Sequence, residues 1–502
     1  MRDEKKSGAL LSYFYLGLKV VIGIAYTPIM LRYLGQAEFG VYTEAQTVIS
    51  FLTMLDLGFG QTLIHYNVKY RSENNQEAAD RCNGLFLVMY AAIGFVALFV
   101  GFLFARNCGL LFLKFTPDEL ALLTKVIEIL VISLAVSFPL SVFSSLINAY
   151  ERFVFAKLAD IISYVLQYGG ILLVLVLGMR SVAIAVVTTA VSISVKLLLC
   201  VFCIIKLKPR FVFGGFDKAL VRTVFMYSVF IFLNIVIDQL YADTDKFILG
   251  AVCSSAAVTT YNVGVQFSAY FQQLSTAVSG VFLPQITKIY SVEHDVRPLS
   301  EIFVRIGRLQ FIILSFVLSG FIAFGQQFIY LLAGSQNAAS YWIAMIIIVP
   351  SIVPLSQNIG IAVLQAMNQH KFRSLIYFFI ALLNVALSIP LAKLYEGIGS
   401  AIGTTIACFL GQYLTMNIFY SKKIGLDVKG YWREAGKVTL RMLPMAVPAI
   451  ILNFLIPGTG WLSFLVRVAL YTAVYVPYSW KFICGDYERT LAAPIVRRLR
   501  RS

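Results

Sequence analysis

Apolar runs long enough to cross a lipid bilayer follow one another along almost the whole chain, with only short polar connections between them. A bilayer core needs roughly 20 mainly apolar residues per helix. Such runs lie at about 8–34, 39–67, 82–104, 119–149, 158–178, 181–205, 220–249, 257–285, 302–332, 341–367, 372–394, 397–420, 438–456 and 460–482. With no water at membrane depth, each span must satisfy its backbone N–H and C=O groups within itself, and a helix does so. The expected fold is an all-α integral membrane protein of about fourteen transmembrane helices. Several runs exceed the length required, so those helices tilt or project beyond the hydrocarbon. Pro28, Pro139, Pro284, Pro350 and Pro354 lie within spans or near their ends, where they bend helices.

Composition excludes the soluble alternative. Of 502 residues, 59% are hydrophobic and 13% charged, against about 25% charged in ordinary soluble domains; the mean hydropathy is +0.81. The formal net charge of +16 suggests nucleic acid at first sight. The basic residues instead cluster in alternate connections between apolar runs. If the N-terminal side is inside, the inside segments carry 31 of the 41 Lys and Arg residues, from Lys5 and Lys6 through Lys206, Lys208 and Arg210 to Arg497, Arg498, Arg500 and Arg501. The outside connections carry Arg106, Lys114, Arg180 and Lys393. This asymmetry places both termini in the cytoplasm and supports an even number of spans. No nucleic-acid partner is expected. The N-terminal apolar run is longer than the core of a cleaved leader and lacks a small-residue cleavage site, so it reads as the first span.

An internal repeat runs through the chain. Leu34-Gly35, Tyr42 and Leu55 recur as Leu249-Gly250, Tyr261 and Leu274, with the same Tyr-to-Leu spacing of 13 residues. Spans one and seven both start inside, and a basic stretch at 206–222 separates the halves. The expected organisation is two six-helix lobes, 1–213 and 214–425, followed by two C-terminal helices and a tail in 426–502. Parallel repeats of this kind recur among transporters.

Charges at membrane depth are the informative residues, since each costs roughly 2.5–3.5 kcal/mol on insertion scales. Lys19 lies midway through span one, Asp56 in span two, Lys196 in span six and Arg467 midway through span fourteen. Arg32, Glu44 and Glu128 fall nearer the outer interface. In span seven Asn234, Asp238, Tyr241 and Asp245 step by 4, 3 and 4 residues, which puts them on one helical face. Asp243 and Lys246, three apart, are placed to pair. Lys19, Lys196 and Arg32, with Gln266 and Gln273 of span eight, are the candidate substrate-binding residues. Asp238, Asp56, Asp245 and Asn234 are the candidate ion-coupling residues. Some have a structural alternative: Asp243, Asp245 and Lys246 as an outer-interface cluster, Asp56 as the cap of a helix break beside Gly58 and Gly60, Arg467 as a partner for a carbonyl or carboxylate.

Little points to catalysis. Cys200 and Cys203 form a C-x-x-C inside an apolar run, and His65, His294 and His370 are far apart, so no metal or cofactor site is expected. Asp243-Thr244-Asp245 matches a glycosyltransferase D-x-D, but any acidic pair does so. No P-loop sequence occurs. No connection exceeds about twenty residues, too short for an extra catalytic domain.

The stretch Thr27-Pro28-Ile29-Met30-Leu31-Arg32-Tyr33-Leu34-Gly35-Gln36-Ala37-Glu38-Phe39-Gly40-Val41-Tyr42 resembles the first loop of Wzx-type oligosaccharide flippases. Leu55-Asp56-Leu57-Gly58-Phe59-Gly60 resembles their second-helix motif, and Asp245-Lys246-Phe247-Ile248-Leu249-Gly250 with Tyr261-Asn262-Val263-Gly264 is similar to its second-repeat form. These motifs are shared across the wider multidrug/oligosaccharidyl-lipid/polysaccharide exporter superfamily. The helix count looks like its polysaccharide and lipid II branches. The Arg/Asp pattern of the lipid II branch in span one is not evident here.

The resemblance implies MATE-like lobes around a central cavity, alternating access, and a polyprenyl-pyrophosphate-linked oligosaccharide as substrate. It implies proton or sodium as coupling ion, a bacterial cytoplasmic (inner) membrane, and a role in polysaccharide or lipopolysaccharide (O-antigen) biosynthesis, with the polymerase machinery as a candidate partner. A cation-coupled multidrug exporter of the same fold is the first alternative. A polytopic glycosyltransferase or polymerase is the second, and a channel the weakest.

Overall fold

The computed structural model describes residues 2–214, 218–293, 295–367 and 369–491. His294 and the arginines of the tail, Arg497, Arg498, Arg500 and Arg501, lie outside the described residues, as do the side chains of Lys5, Lys6, Lys218, His370 and Lys371. The described residues are helical nearly throughout. Among the described residues, eleven segments are long and apolar enough to cross a membrane. Two of them contain non-helical breaks, Phe14–Ser72 at Gly35 and Phe372–Ile424 at Tyr395 and Glu396, and so make two spans each. The more polar helix Ser255–Glu293, 39 residues long, completes a set of fourteen that matches the apolar runs of the sequence one for one.

In chain order the helices are α1 (Arg2–Thr53), α2 (Phe59–Ser72), α3 (Gln76–Asn107), α4 (Pro117–Ala149), α5 (Phe153–Val176), α6 (Ser181–Phe202), α7 (Lys218–Val252), α8 (Ser255–Glu293), α9 (Val296–Ala333), α10 (Ala339–Ser356), α11 (Ile359–Ala366), α12 (His370–Cys408), α13 (Met416–Phe419), α14 (Val428–Met442), α15 (Ala446–Leu455) and α16 (Trp461–Tyr478). Local chemistry sets their ends. Thr116 and Glu119 form a reciprocal capping box at the start of α4, with Pro117 in its first turn. The Asn75 side chain accepts from the Ala78 N–H at the start of α3.

The breaks need particular backbones. Gly35 turns the chain between spans one and two at φ 79°, ψ 174°. Gly334 does the same after α9 at φ 79°, ψ 169°. This region of backbone space is almost closed to residues with a Cβ. Span two is interrupted again where Leu57 and Gly58 adopt left-handed conformations, φ 52° and 73°, between a short turn at Met54–Asp56 and α2.

The chain divides into two compact units, Met1–Thr259 and Thr260–Ser502. In the first, α1 packs on α4, α5 and α7, and α4 on α3 and α6. One apolar cluster gathers Met30, Phe39, Tyr42, Phe112, Leu123 and Ile127; another gathers Phe59, Phe86, Tyr90, Phe138 and Leu146. In the second unit, α9 packs on α10, α14 and α16.

Arginines secure the last helices of the second unit. Arg467, 8% exposed, donates to the carbonyls of Ile456 (2.5 Å) and Gly458 (3.1 Å) and to Gln327 Oε1 on α9 (2.6 Å). The charge expected at mid-span is thus an internal cap for the α15–α16 connection. Arg308 on α9 lies 3.4 Å from Glu434 and 3.6 Å from Glu488, and donates to the Ile483 carbonyl at 2.8 Å.

Two stability changes follow. Gly35→Ala forces a Cβ into a backbone region that costs about 1–3 kcal/mol, which lowers the melting temperature in detergent. Arg467→Met, which keeps the stem but strips the donors, costs a similar ~1–3 kcal/mol by leaving buried carbonyls without partners; thermal unfolding of purified protein measures both.

Candidate functional site

The first unit contains a polar centre among apolar helices. The break in span two places Asp56 where a helix would otherwise continue. Its Oδ1 accepts from the Tyr90 hydroxyl of α3 at 2.6 Å, and its carboxylate faces the backbone N–H groups of Gly58 and Gly60. Gly60 allows the approach, since a Cβ there would crowd Ser145 Oγ and the Tyr90 hydroxyl at 3.3 Å. Lys196 of α6 reaches α4, donating to the Ser137 carbonyl at 3.2 Å and to Ser141 Oγ at 3.0 Å. Asp56 and Lys196 lie within electrostatic reach of each other. Beside Lys196 opens a cavity of about 200 Å³, whose polar lining includes Ser144, Asn148, Lys157, Asp160, Ser163 and Ser192. Lys157 is paired with Asp160 at 2.9 Å. Lys196 is thus a half-buried cation held by neutral oxygens, beside a space lined by serines, Asn148, the Lys157–Asp160 pair and the apolar Ile147, Ala156, Val195 and Leu199.

A second polar centre joins span two to α7. Asp243 Oδ2 accepts from Ser50 Oγ (2.7 Å) and Gln239 Nε2 (2.6 Å), and Oδ1 accepts from Lys246 Nζ (2.9 Å). The side chains of Asp243 and Lys246 are 14% and 20% exposed, so the pair is mostly shielded. Next to it Glu44 is 0% exposed, and neither of its carboxyl oxygens has a hydrogen-bond partner among the described residues. An ionised carboxylate placed there costs several kcal/mol.

The remaining candidates are more dispersed. Lys19 is exposed, with Nζ 5.6 Å from the Tyr15 ring, while its carbonyl accepts from the Tyr164 hydroxyl at 3.4 Å. Arg32 is exposed near the end of span one. Close by, Glu38 is tied to Arg180 at 2.9 Å and to the N–H and hydroxyl of Ser181. On α7 Asn234 and Asp238 are exposed and Asp245 is buried. In the second unit Gln266 donates to the Tyr270 hydroxyl at 2.7 Å, and Gln273 Oε1 is buried with no hydrogen-bond partner among the described residues. In the same unit Ser275, Gln310 and Asn358 form a polar knot: Gln310 donates to the Ser275 carbonyl at 3.0 Å and Asn358 to its hydroxyl at 2.7 Å. Of the substrate and ion candidates, the structure brings Asp56 and Lys196 together. Among the described residues, Lys19 and Arg32 make no hydrogen bond or ion pair with Asp56 or Lys196.

The polysaccharide biosynthesis protein family model matches residues 8–290, more than half of the chain and all of the helices that build both polar centres. The chain belongs to this family. No curated protein matches the sequence. Among solved structures, the lipid II flippase MurJ in an inward closed conformation is similar at a TM-score of 0.73 and 18% identity, over 97% of this chain and 99% of that one. An inward-facing multidrug resistance MATE family transporter of the MOP superfamily is similar at 0.63 and 15% identity, over 81% of this chain and 96% of its own. A MOP superfamily transporter from Pyrococcus furiosus, described as having a binding pocket of reversed polarity, gives 0.56 and 15%, over 84% and 97%. At these identities the likeness is one of fold: this family member is a multi-pass membrane protein with the MATE/MurJ-like fold.

Sequence reading passed over several residues of these centres. Tyr90, Ser137 and Ser141 are neutral and common in spans, so nothing marks them until α3 and α4 bring them to Asp56 and Lys196. Gln239 carried a signal, being one helical turn before Asp243. Glu44, expected nearer the outer interface, is fully enclosed by protein, which its position in the sequence does not signal.

Tyr90→Phe strips a donor from Asp56 and is expected to cost about 1.5–3 kcal/mol. Combined with Asp56→Asn the loss should be smaller than the sum of the single changes, because the two groups share one hydrogen bond. A double-mutant cycle on thermal stability measures this.

Proposed function

We propose that this protein is a Wzx-type flippase that carries a polyprenyl-pyrophosphate-linked oligosaccharide across the bacterial cytoplasmic membrane for polysaccharide or lipopolysaccharide assembly. The observation that supports it best is the Lys196 centre: a half-buried cation within a membrane-spanning helix, beside a cavity whose polar lining is serines, Asn148 and the Lys157–Asp160 pair. Pyrophosphate and acidic sugars are anions that an ammonium recognises as a point charge, and sugar hydroxyls exchange hydrogen bonds with serine and asparagine side chains. Membership of a polysaccharide biosynthesis family points to the same chemical class of cargo.

In this reading the glycan head passes through the protein while the lipid tail stays in the bilayer. Lys196 holds the anionic head, with Lys19 and Arg32 as further cations on the path and Gln266 and Gln273 as neutral hydrogen-bonding groups. A proton or sodium ion, bound at Asp56, Asp238 or Asp245 with Asn234 nearby, biases alternating access, because an ion that binds one conformation better than another shifts their populations. Both termini face the cytoplasm. Polymerase machinery would receive the product. The protein supplies no bond-making chemistry of its own.

The test uses a strain lacking the gene, complemented with variants expressed at the normal level. Lys196→Ala, Lys19→Ala and Asp238→Asn are each expected to leave surface glycan reduced. Full restoration by all three variants overturns the site assignment. A deletion with intact glycan and heightened sensitivity to toxic organic cations identifies a drug exporter instead.

A further inference from the structure

Glu44 is a buried acid that the preceding reading does not use. It lies in the second part of α1 and is 0% exposed. Neither carboxyl oxygen has a hydrogen-bond partner among the described residues. The enclosure is built by close packing: a Cβ on Gly250 of α7 would lie 2.5 Å from the Glu44 carboxyl carbon and Oε2. The charged groups facing Glu44 are Lys246 and Asp243, both on α7. Glu38, on its own helix, is held by Arg180 and Ser181. The ammonium that faces the acid is committed elsewhere, since Lys246 converges with Gln239 and Ser50 on Asp243 at 2.6–2.9 Å.

A carboxylate sealed from water with no donor is far costlier than the neutral acid. A metal cation suits the place poorly. An ammonium already faces the carboxyl group, and no group of three or more His, Cys, Asp and Glu side chains able to hold a metal occurs among the described residues.

We propose that Glu44 is a proton-binding site, and that its proton decides which of two carboxylates holds Lys246. With Glu44 protonated, Lys246 stays on Asp243, and the Ser50–Gln239–Asp243 network clamps span two to α7. When the packing at Gly250 opens to water and the Glu44 carboxyl O–H releases its proton to it, a carboxylate remains. The Lys246 ammonium is drawn towards it, and the clamp on Asp243 loosens. One proton thus changes how two neighbouring helices are joined. The proton site stands independently of the cargo; only its use in driving transport rests on the flippase reading.

The experiment is infrared difference spectroscopy on the purified full-length protein in lipid, titrated from acid to alkaline pH. It needs neither substrate nor transport, so its failure is distinct from failure of the flippase reading. The wild type is expected to show a protonated-carboxyl band at neutral pH that disappears in Glu44→Gln, shifts in Glu44→Asp, and moves its titration in Lys246→Met. Absence of the band from the wild type, which a hydrated and ionised Glu44 would produce, overturns the proposal. So does a band unchanged in Glu44→Gln. If that variant is not monodisperse, Glu44→Asp decides in the same way, a band left in place being the contrary result.

Discussion

A polar group inside a bilayer must find its partner within the protein, because the surrounding hydrocarbon offers none. This requirement organises the buried charges of the chain. Arg467 is tolerated at mid-span because three acceptors converge on it: two loop carbonyls and Gln327. Lys196 is tolerated because Ser137 and Ser141 turn oxygens towards it. Asp56 is tolerated because span two breaks at Leu57–Gly58, setting backbone N–H groups beside the carboxylate while Tyr90 donates from α3. Interruptions of the helices and positions of the charges are therefore one design.

The same requirement separates structural charges from candidate functional ones. Arg467 is fully engaged and joins elements that pack regardless of any substrate. Lys196 is held by neutral oxygens beside a mixed polar and apolar cavity, with the Asp56 carboxylate within electrostatic reach. The Asp243–Lys246 pair is compensated internally, whereas Glu44 beside it is not. In the proposed function Lys196 would meet an anionic head group, and Glu44 would be a site for a proton.

Much of the fold was legible in the sequence, for the reason that makes membrane proteins readable at all: span length and backbone satisfaction leave few choices. Each apolar run became a helix, and Gly35, which the repeat singled out, marks the turn between the first two spans. The pairing of Asp243 with Lys246 followed from helical spacing alone. The assembly of the polar centres was not legible. Tyr90 reaches Asp56 from 34 residues away and Ser50 reaches Asp243 from 193, and no local pattern encodes such meetings. The enclosure of Glu44 was not legible either, because it comes from the close approach of α7 at Gly250, a matter of tertiary packing.

The central claim concerns cargo. The most direct measurement places purified wild-type protein in liposomes that carry a fluorescent polyprenyl-pyrophosphate oligosaccharide in both leaflets, adds a membrane-impermeant quencher outside, and follows the fluorescence that remains. The account predicts that the protected inner-leaflet fraction becomes accessible over time in protein-containing liposomes and stays protected in protein-free ones. Equal protection in both would contradict it.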